Sequence, residues 1–332
     1  MALKVWRKVR HAIAAADIRR DTARYKAKAL LLGTNKEKQG LLKYALIYFI
    51  LGNLALIYLA PMVSMVSTSF KTFSDLIDPT TRWIPKNLHE INYKYAFDAL
   101  KIAVTFHEDF GLWENLKRSS LFNTLCIVVP SAFFQVFSCA VAGYAFGRMK
   151  FPGQKLFFVL LILTFVVPPQ TLMIPLIWTY KTYGLLDSPF AFIGPAFFGH
   201  GVKGALFVFL YMQFFRKFPK ELEEAATIDG VGPVRMFWKV MLPLAKPAII
   251  VVFLFSIVFH WNESLLTQYF YLNLPTLPKM LAAFQPVGDQ EDLYVLPVKM
   301  AAGIIELAPL LVLYFFTQRW FTESIERTGL VE

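Results

Sequence analysis

Six apolar runs, each close to the length that crosses a bilayer, constrain this chain more than any other feature. A helix rises 1.5 Å per residue, so about 20 apolar residues cover roughly 30 Å of hydrocarbon. The runs lie at 44–65, 121–146, from 156 onward with breaks at Pro168-Pro169 and Pro175, and at 190–215, 247–261 and 297–316. The second is expected to kink or break at Pro130. Composition agrees: 56% of the 332 residues are hydrophobic and 17% charged, whereas soluble domains carry about 25% charged residues. One compact soluble core is excluded, as are disordered and collagen-like chains. The expected fold class is all-α, a polytopic membrane protein with six transmembrane helices.

The net charge of +11 is concentrated at the start of the chain, where residues 1–43 hold twelve Lys or Arg and three acids. Such an arm suits nucleic acid, but directly before a membrane span it marks the cytoplasmic side, and no nucleic-acid partner is expected. Val5, Val9, Ala12 and Ala16 recur at helical spacing between the bases. An amphipathic helix on anionic lipid fits this pattern, and a solvated helix or frayed tail fits it equally. The first long apolar run begins near Leu41, well inside the chain and longer than a signal h-region, so it is expected to remain as the first span.

Loop charge sets the expected orientation. Segment 147–155 carries Arg148, Lys150 and Lys155 with no acid, and segment 216–246 carries Arg216, Lys217, Lys220, Arg235, Lys239 and Lys246. Both belong inside by the positive-inside rule. Segment 66–118 balances seven bases against seven acids, and 262–296 sets Glu263, Asp289, Glu291 and Asp292 against Lys279, so both fit outside. The expected organisation is a cytoplasmic basic arm (1–43), a first transmembrane helix (44–65) and an extracytoplasmic loop (66–118). A five-helix core (119–318) with the cytoplasmic loop 216–246 follows, then a cytoplasmic tail (319–332). Cys126 and Cys139, if on one helix, sit about 20 Å apart, beyond disulfide reach, and indicate no redox compartment.

Segment 216–246 is the most informative stretch. Pro219 suits the first position of a helix, and Glu221, Glu223 and Glu224 then lie at its positive end. Ala225 and Ala226 leave a bare surface where another backbone can approach. Asp229-Gly230 ends the helix, with Gly230 able to take the left-handed cap, and Gly232-Pro233 starts a second helix through Lys239 that Leu242-Pro243 closes. Phe237 and Trp238 are expected at the surface, either in a partner's cleft or dipping into the bilayer interface.

This loop resembles the signature of the permeases of ABC importers: Glu-Ala-Ala, three residues, Gly, nine residues, Ile, one residue, Leu-Pro. The chain has Glu224-Ala225-Ala226, Gly230, Val240 in place of Ile, and Leu242-Pro243 at those spacings. Asn123-Thr124-Leu125, Gly143-Tyr144-Ala145-Phe146-Gly147-Arg148, Phe151-Pro152-Gly153, Pro168-Pro169-Gln170, Ile174-Pro175-Leu176, Tyr183-Gly184-Leu185 and Trp261-Asn262-Glu263 resemble the carbohydrate-uptake permeases. So do Trp83-Ile84-Pro85-Lys86-Asn87 and Asn92-Tyr93. The likeness runs over about residues 44–320 and is greatest to the second, six-span subunit of maltose-type importers. The basic arm and the stretch around 101–117 lie outside the pattern.

The resemblance implies a type I ABC importer permease fold and a bacterial inner-membrane location, with both termini cytoplasmic. It also implies a non-catalytic chain that forms half of a translocation pathway for sugars or oligosaccharides. The implied partners are a second homologous permease, two ATPase subunits that bind ATP and Mg, an extracytoplasmic solute-binding protein and the bilayer, with no cofactor in this chain. The docking residues it implies are Glu224, Ala225, Ala226, Asp229, Gly230, Phe237, Leu242 and Pro243. The chain has no G-x-x-x-x-G-K-[ST] phosphate loop, so it cannot itself be the ATPase.

Polar groups in or near spans are the candidates for a substrate path, because burying them is costly without a role. They are Asn123, Gln170, Asn262 and Glu306. The first three also suit helix capping and packing. Glu306, seven residues from Lys299, suits either a wall group bonding a sugar hydroxyl or cation, or an interhelical ion pair. Two other classes compete: an ion-coupled secondary transporter, for which Glu306 is the sole mid-span acid, and a membrane-embedded glycosyl or lipid transferase. The five His show no metal-ligand spacing of the H-E-x-x-H kind, and no metal site is expected.

Overall fold

The structure is a computed structural model that describes residues 33–35, 38–39, 41–284 and 292–329, with side chains over 41–284 and 295–320. The expected amphipathic helix of the basic arm lies outside the described residues. Short strands β1 (Gly33–Asn35) and β2 (Lys38–Gln39) pair antiparallel. The chain divides into two compact units, residues 1–65 and 66–332, each taken by itself below.

Helix α1 (Leu41–Ser69) holds the first apolar run and contributes its last turn to the second unit. In that second unit follow α2 (Phe73–Ile77), α3 (Ile91–Ala99), α4 (Leu112–Lys117), α5 (Ser120–Arg148), α6 (Gln154–Val166), α7 (Met173–Thr182), α8 (Phe190–Phe197) and α9 (Gly204–Arg216). Then come α10 (Glu221–Ile228), α11 (Pro233–Met236), a π-helical turn (Phe237–Met241), α12 (Leu242–Leu244), α13 (Lys246–Trp261), α14 (Ser264–Phe270), α15 (Leu277–Ala282) and α16 (Asp292–Gly329).

Among the described residues three helices are long and apolar enough to cross a membrane: α1, α5 and residues 295–320 of α16. Two bent pairs bring the number to five if each is one span. Helix α6 meets Pro169–Thr182 at 98°, and Pro233–Leu244 meets α13 at 78°. The first bend falls where Pro168-Pro169 was expected to interrupt the third run, because consecutive prolines remove donors and push the preceding residue out of the helical region. Pro175 makes no second break, since it sits in the first turn of α7, where its missing donor costs nothing. Pro130 likewise lies inside an unbroken α5.

The apolar run at 190–215 is not one continuous helix but two, α8 and α9. Gly199 takes φ 74° and Lys203 φ 58°, and these left-handed residues end one helix and start the next. The His200 amide donates to Pro195 O at 2.8 Å and that of Gly204 to Gly201 O at 2.8 Å, so the turn satisfies its own backbone. Buried Gln135 of α5 braces it, donating from Nε2 to Val202 O at 2.9 Å and accepting from Ser256 Oγ of α13 at 2.8 Å.

Helix α5 is the centre of the second unit and packs on α8, α9 and α13. Its Val136, Cys139, Ala140 and Tyr144 meet Phe207, Val208, Tyr211 and Phe215 of α9 and Val252 of α13. A second cluster joins Val128 to Trp261, Leu277, Ala301 and Ala302 and to Ala96 and Leu100 near the end of α3. Small residues let these helices approach closely, which is how helices associate where lipid removes the hydrophobic drive. At Gly143 an added Cβ would be pressed into Tyr211 Cβ and lie 3.0 Å from Met212 N and Val208 O. Gly143→Ala is therefore expected to cost about 1–3 kcal/mol, because two backbones must separate to admit it. Thermal unfolding in detergent reads this; an unchanged midpoint would show that the α5–α9 contact is loose.

The stretch around 101–117 is a closed loop. The Ser120 amide donates to Lys101 O at 2.8 Å and Ser119 Oγ to Ile102 O at 2.6 Å. Asn115 fills its interior with three hydrogen bonds, to His107 N, His107 O and Phe110 O. Ser119 Oγ then caps α5 by accepting from Phe122 N at 3.4 Å.

Candidate functional site

The 216–246 segment forms a helix, a turn and a second helical stretch. Helix α10 begins at Glu221, two residues later than Pro219 suggested, with Lys220 as its N-cap. Glu221, Glu223 and Glu224 occupy the first turn, where the exposed N–H ends favour negative charge. Glu224 and Ala225 are exposed, and no residue of α10 is buried. The Val231 amide donates back to Ala226 O at 3.0 Å, and Gly230 sits between them at φ 77°. This is the left-handed end expected from Asp229-Gly230, both exposed, and Gly230 serves because L side chains avoid that region.

The second stretch is shorter than expected, since α11 covers Pro233–Met236 and passes into the π-helical turn. The expected exposure of Phe237 is corrected. Its ring is 5% exposed and lies 5.3 Å from Tyr144 and 6.4 Å from Phe215, centroid to centroid. Met236, Phe237 and Met241 face inward together, with half-buried Val240 beside them. That pairing of apolar neighbours four residues apart was the available signal. Trp238 does stand at the surface, 49% exposed, with its ring parallel to Phe137. Leu242 is buried and Pro243 exposed.

Loop charge at Arg148 and a first-turn position at Glu223 give no sign that the two residues pair. Arg148, at the end of α5, donates from Nε to Glu223 Oε1 at 2.9 Å and from Nη2 to Pro219 O at 3.1 Å. These groups are 75 and 71 positions apart in the chain, and no local pattern announces their contact. A cleft of about 730 Å3 opens beside them, with Arg216, Lys220 and Glu224 among its lining residues.

The substrate-path candidates are scattered. Asn123 is buried and spends both amide protons on Lys117 O (2.7 Å) and Pro275 O (2.8 Å), which makes it a tie between segments. Gln170 is exposed in the bend before α7, and Asn262 is exposed at the end of α13, donating to Val258 O at 2.8 Å. Glu306 is buried while Lys299 is exposed, and among the described residues no base lies within ion-pair distance of Glu306. Its carbonyl accepts from Trp261 Nε1 at 3.1 Å.

Residues 140–327 match the family described as the binding-protein-dependent transport system inner membrane component, a match that takes in the whole 216–246 loop. The chain belongs to this family. It is thus a permease component of an ABC-type transport system in the inner membrane, which sets aside the secondary-transporter and transferase alternatives. Permease GgtD for osmoprotective compounds, from Synechocystis sp., is 29% identical over 82% of this chain and 87% of its own. The probable starch-degradation-product permease AmyC of Thermoanaerobacterium thermosulfurigenes is 29% identical over 82% and 91%. The melibiose/raffinose/stachyose permease MelC of Bacillus subtilis is 30% identical over 70% and 82%. A bacterial ABC transporter that imports the acidic polysaccharide alginate has a chain of the same fold, with TM-score 0.65 and 21% identity over 84% of this permease and 96% of that chain.

Proposed function

We propose that this permease forms one half of the translocation pathway of an ATP-driven importer of sugars or oligosaccharides. It would cross the membrane six times with both termini inside, the sixth crossing being supplied by the α8–α9 pair. It would work beside a homologous permease, two ATPase subunits that bind ATP and Mg, and an extracytoplasmic solute-binding protein. The carbohydrate relatives AmyC and MelC support the substrate class.

The observation that carries the coupling role is α10 itself. It is an unburied helix with an exposed Glu224-Ala225 edge and a left-handed stop at Gly230, held at one end of the central helix. A helix that buries so little in its own chain gains little from folding there alone, and a complementary cleft in an ATPase would cover it. Glu224, Ala225, Ala226, Asp229, Gly230 and Pro243 remain the docking set, whereas the buried Phe237 and Leu242 act from behind by packing. For the path, Glu306 is the strongest candidate, because its buried carboxyl has no base within ion-pair distance among the described residues, and burying such a group is costly without a role or partner.

Purification in mild detergent tests this reading. The permease is expected to bring with it an ATPase and a second permease, and vesicles holding all of them should take up sugar only with internal ATP. Uptake by this chain alone, or ATP-independent uptake, would overturn it.

A further inference from the structure

Arg148 ends α5, and its side chain is only 6% exposed. One planar guanidinium holds both the first turn of α10, through Glu223, and the chain just before it, through Pro219 O. Charge-assisted bonds from such a fork fix direction as well as distance. Directly behind it, Tyr144 packs edge-on against Phe215 at 5.5 Å and tilted against Phe237 at 5.3 Å, so the end of α5 is itself rigid.

Little else joins α10 to the core. None of its residues is buried, and Ala226 only partly packs on the main cluster, with Val231 just beyond the helix doing the same. The cleft beside Arg148 is open where packed side chains would otherwise carry load between α10 and the α5–α6 turn. Lys150, Arg216 and Lys220 line the same cleft, yet the ion pair to Glu223 is made by Arg148.

We propose that Arg148 is a positioning residue that locks the coupling helix to the central helix, so that displacement of α10 is passed to α5. This rests on the coupling role proposed above. It assigns the load to a pair inside this chain, distinct from the docking contacts with a partner.

The test uses the complete complex reconstituted in vesicles. Val129 of α5, 52% exposed, is replaced by Cys, with Cys126→Ser and Cys139→Ala removing the native thiols. A nitroxide attached to the new thiol before reconstitution reports its mobility and surroundings without nucleotide and with ATP plus vanadate, alongside ATP hydrolysis and ATPase co-purification. With Arg148 intact, ATP should change its spectrum. Arg148→Ala should shrink that change about tenfold while the ATPase stays bound and active, and Arg148→Lys should retain part of it. Reversing the pair, Arg148→Glu with Glu223→Arg, should restore part of the response, the ion pair returning without the bond to Pro219 O.

A response of Arg148→Ala equal to that with Arg148 would overturn the proposal. If Arg148→Ala prevents assembly, the reversed pair decides: recovery of assembly and response supports the lock, and failure to recover overturns it. Absence of any ATP-driven change with Arg148 intact would instead overturn the coupling role on which the proposal stands.

Discussion

Glu224→Lys and Gly230→Pro are each expected to stop ATP-driven uptake while leaving the protein in the membrane. Both positions lie at the exposed edge and end of α10, away from the apolar helices, so insertion has no reason to fail. In the proposed docking, reversing the charge at Glu224 would turn an attractive contact with the ATPase into a repulsive one. Losing one partner of a desolvated charge pair costs about 2–5 kcal/mol, so a drop of at least about thirtyfold in uptake is expected. Gly230→Pro acts through the backbone. Proline holds φ near −65°, whereas Gly230 sits at 77°, and proline also removes the amide that donates to Thr227 O at 3.0 Å. The turn must rebuild, and α10 then points elsewhere. Reconstituted vesicles should show ATP hydrolysis without matching uptake, and normal uptake with both substitutions would count decisively against the coupling role.

Phe237→Ala is expected to be the most destabilising change in the loop, and Trp238→Ala next to it one of the mildest. The Phe237 ring fills the space between Tyr144, Phe215 and Met241, and deleting a buried phenyl costs about 3–5 kcal/mol through lost transfer energy and the cavity left behind. Trp238 is 49% exposed already, and its ring neighbours are half-buried Phe137, stacked at 6.4 Å, and Phe237, edge-on at 5.2 Å. About 1 kcal/mol is expected for that loss. Thermal unfolding in detergent should separate the two by several degrees, since about 1 kcal/mol moves the midpoint of a chain this size by roughly 2–4 °C. Equal midpoints would show that the inward and outward faces of the second helical stretch are not as described.

Much of this permease was legible in its residues. The apolar runs at 44–65, 121–146, 247–261 and 297–316 reappear within α1, α5, α13 and α16, because twenty greasy residues in a row have few alternatives to a helix. Pro168-Pro169 marked a real break, and Gly230 marked the end of α10, since both residue types restrict or free φ locally. The signature spacing from Glu224 to Pro243 identified the loop for the same reason: its features depend on near neighbours.

Where local pattern and tertiary packing disagree, packing decides. Gln135 and the glycines around Gly199 split the apolar run 190–215 into α8 and α9, a division set by a hydrogen bond across 67 positions. Phe237 was expected outside, but the inward face of its turn is chosen by Tyr144 and Phe215 from other helices. By residue type Asn123 suits either a substrate path or packing, and in the fold both its amide protons bond backbone carbonyls, those of Lys117 and Pro275.

By itself, the order of residues determined that this chain belongs in a membrane, where its long apolar helices lie, and which loop carries the family signature. Those properties follow from hydrophobic length and backbone freedom, which act over a few turns. Only the tertiary structure decided which charges in that loop are joined, because the pairing of Arg148 with Glu223 requires two distant helix ends to be brought within 3 Å of each other.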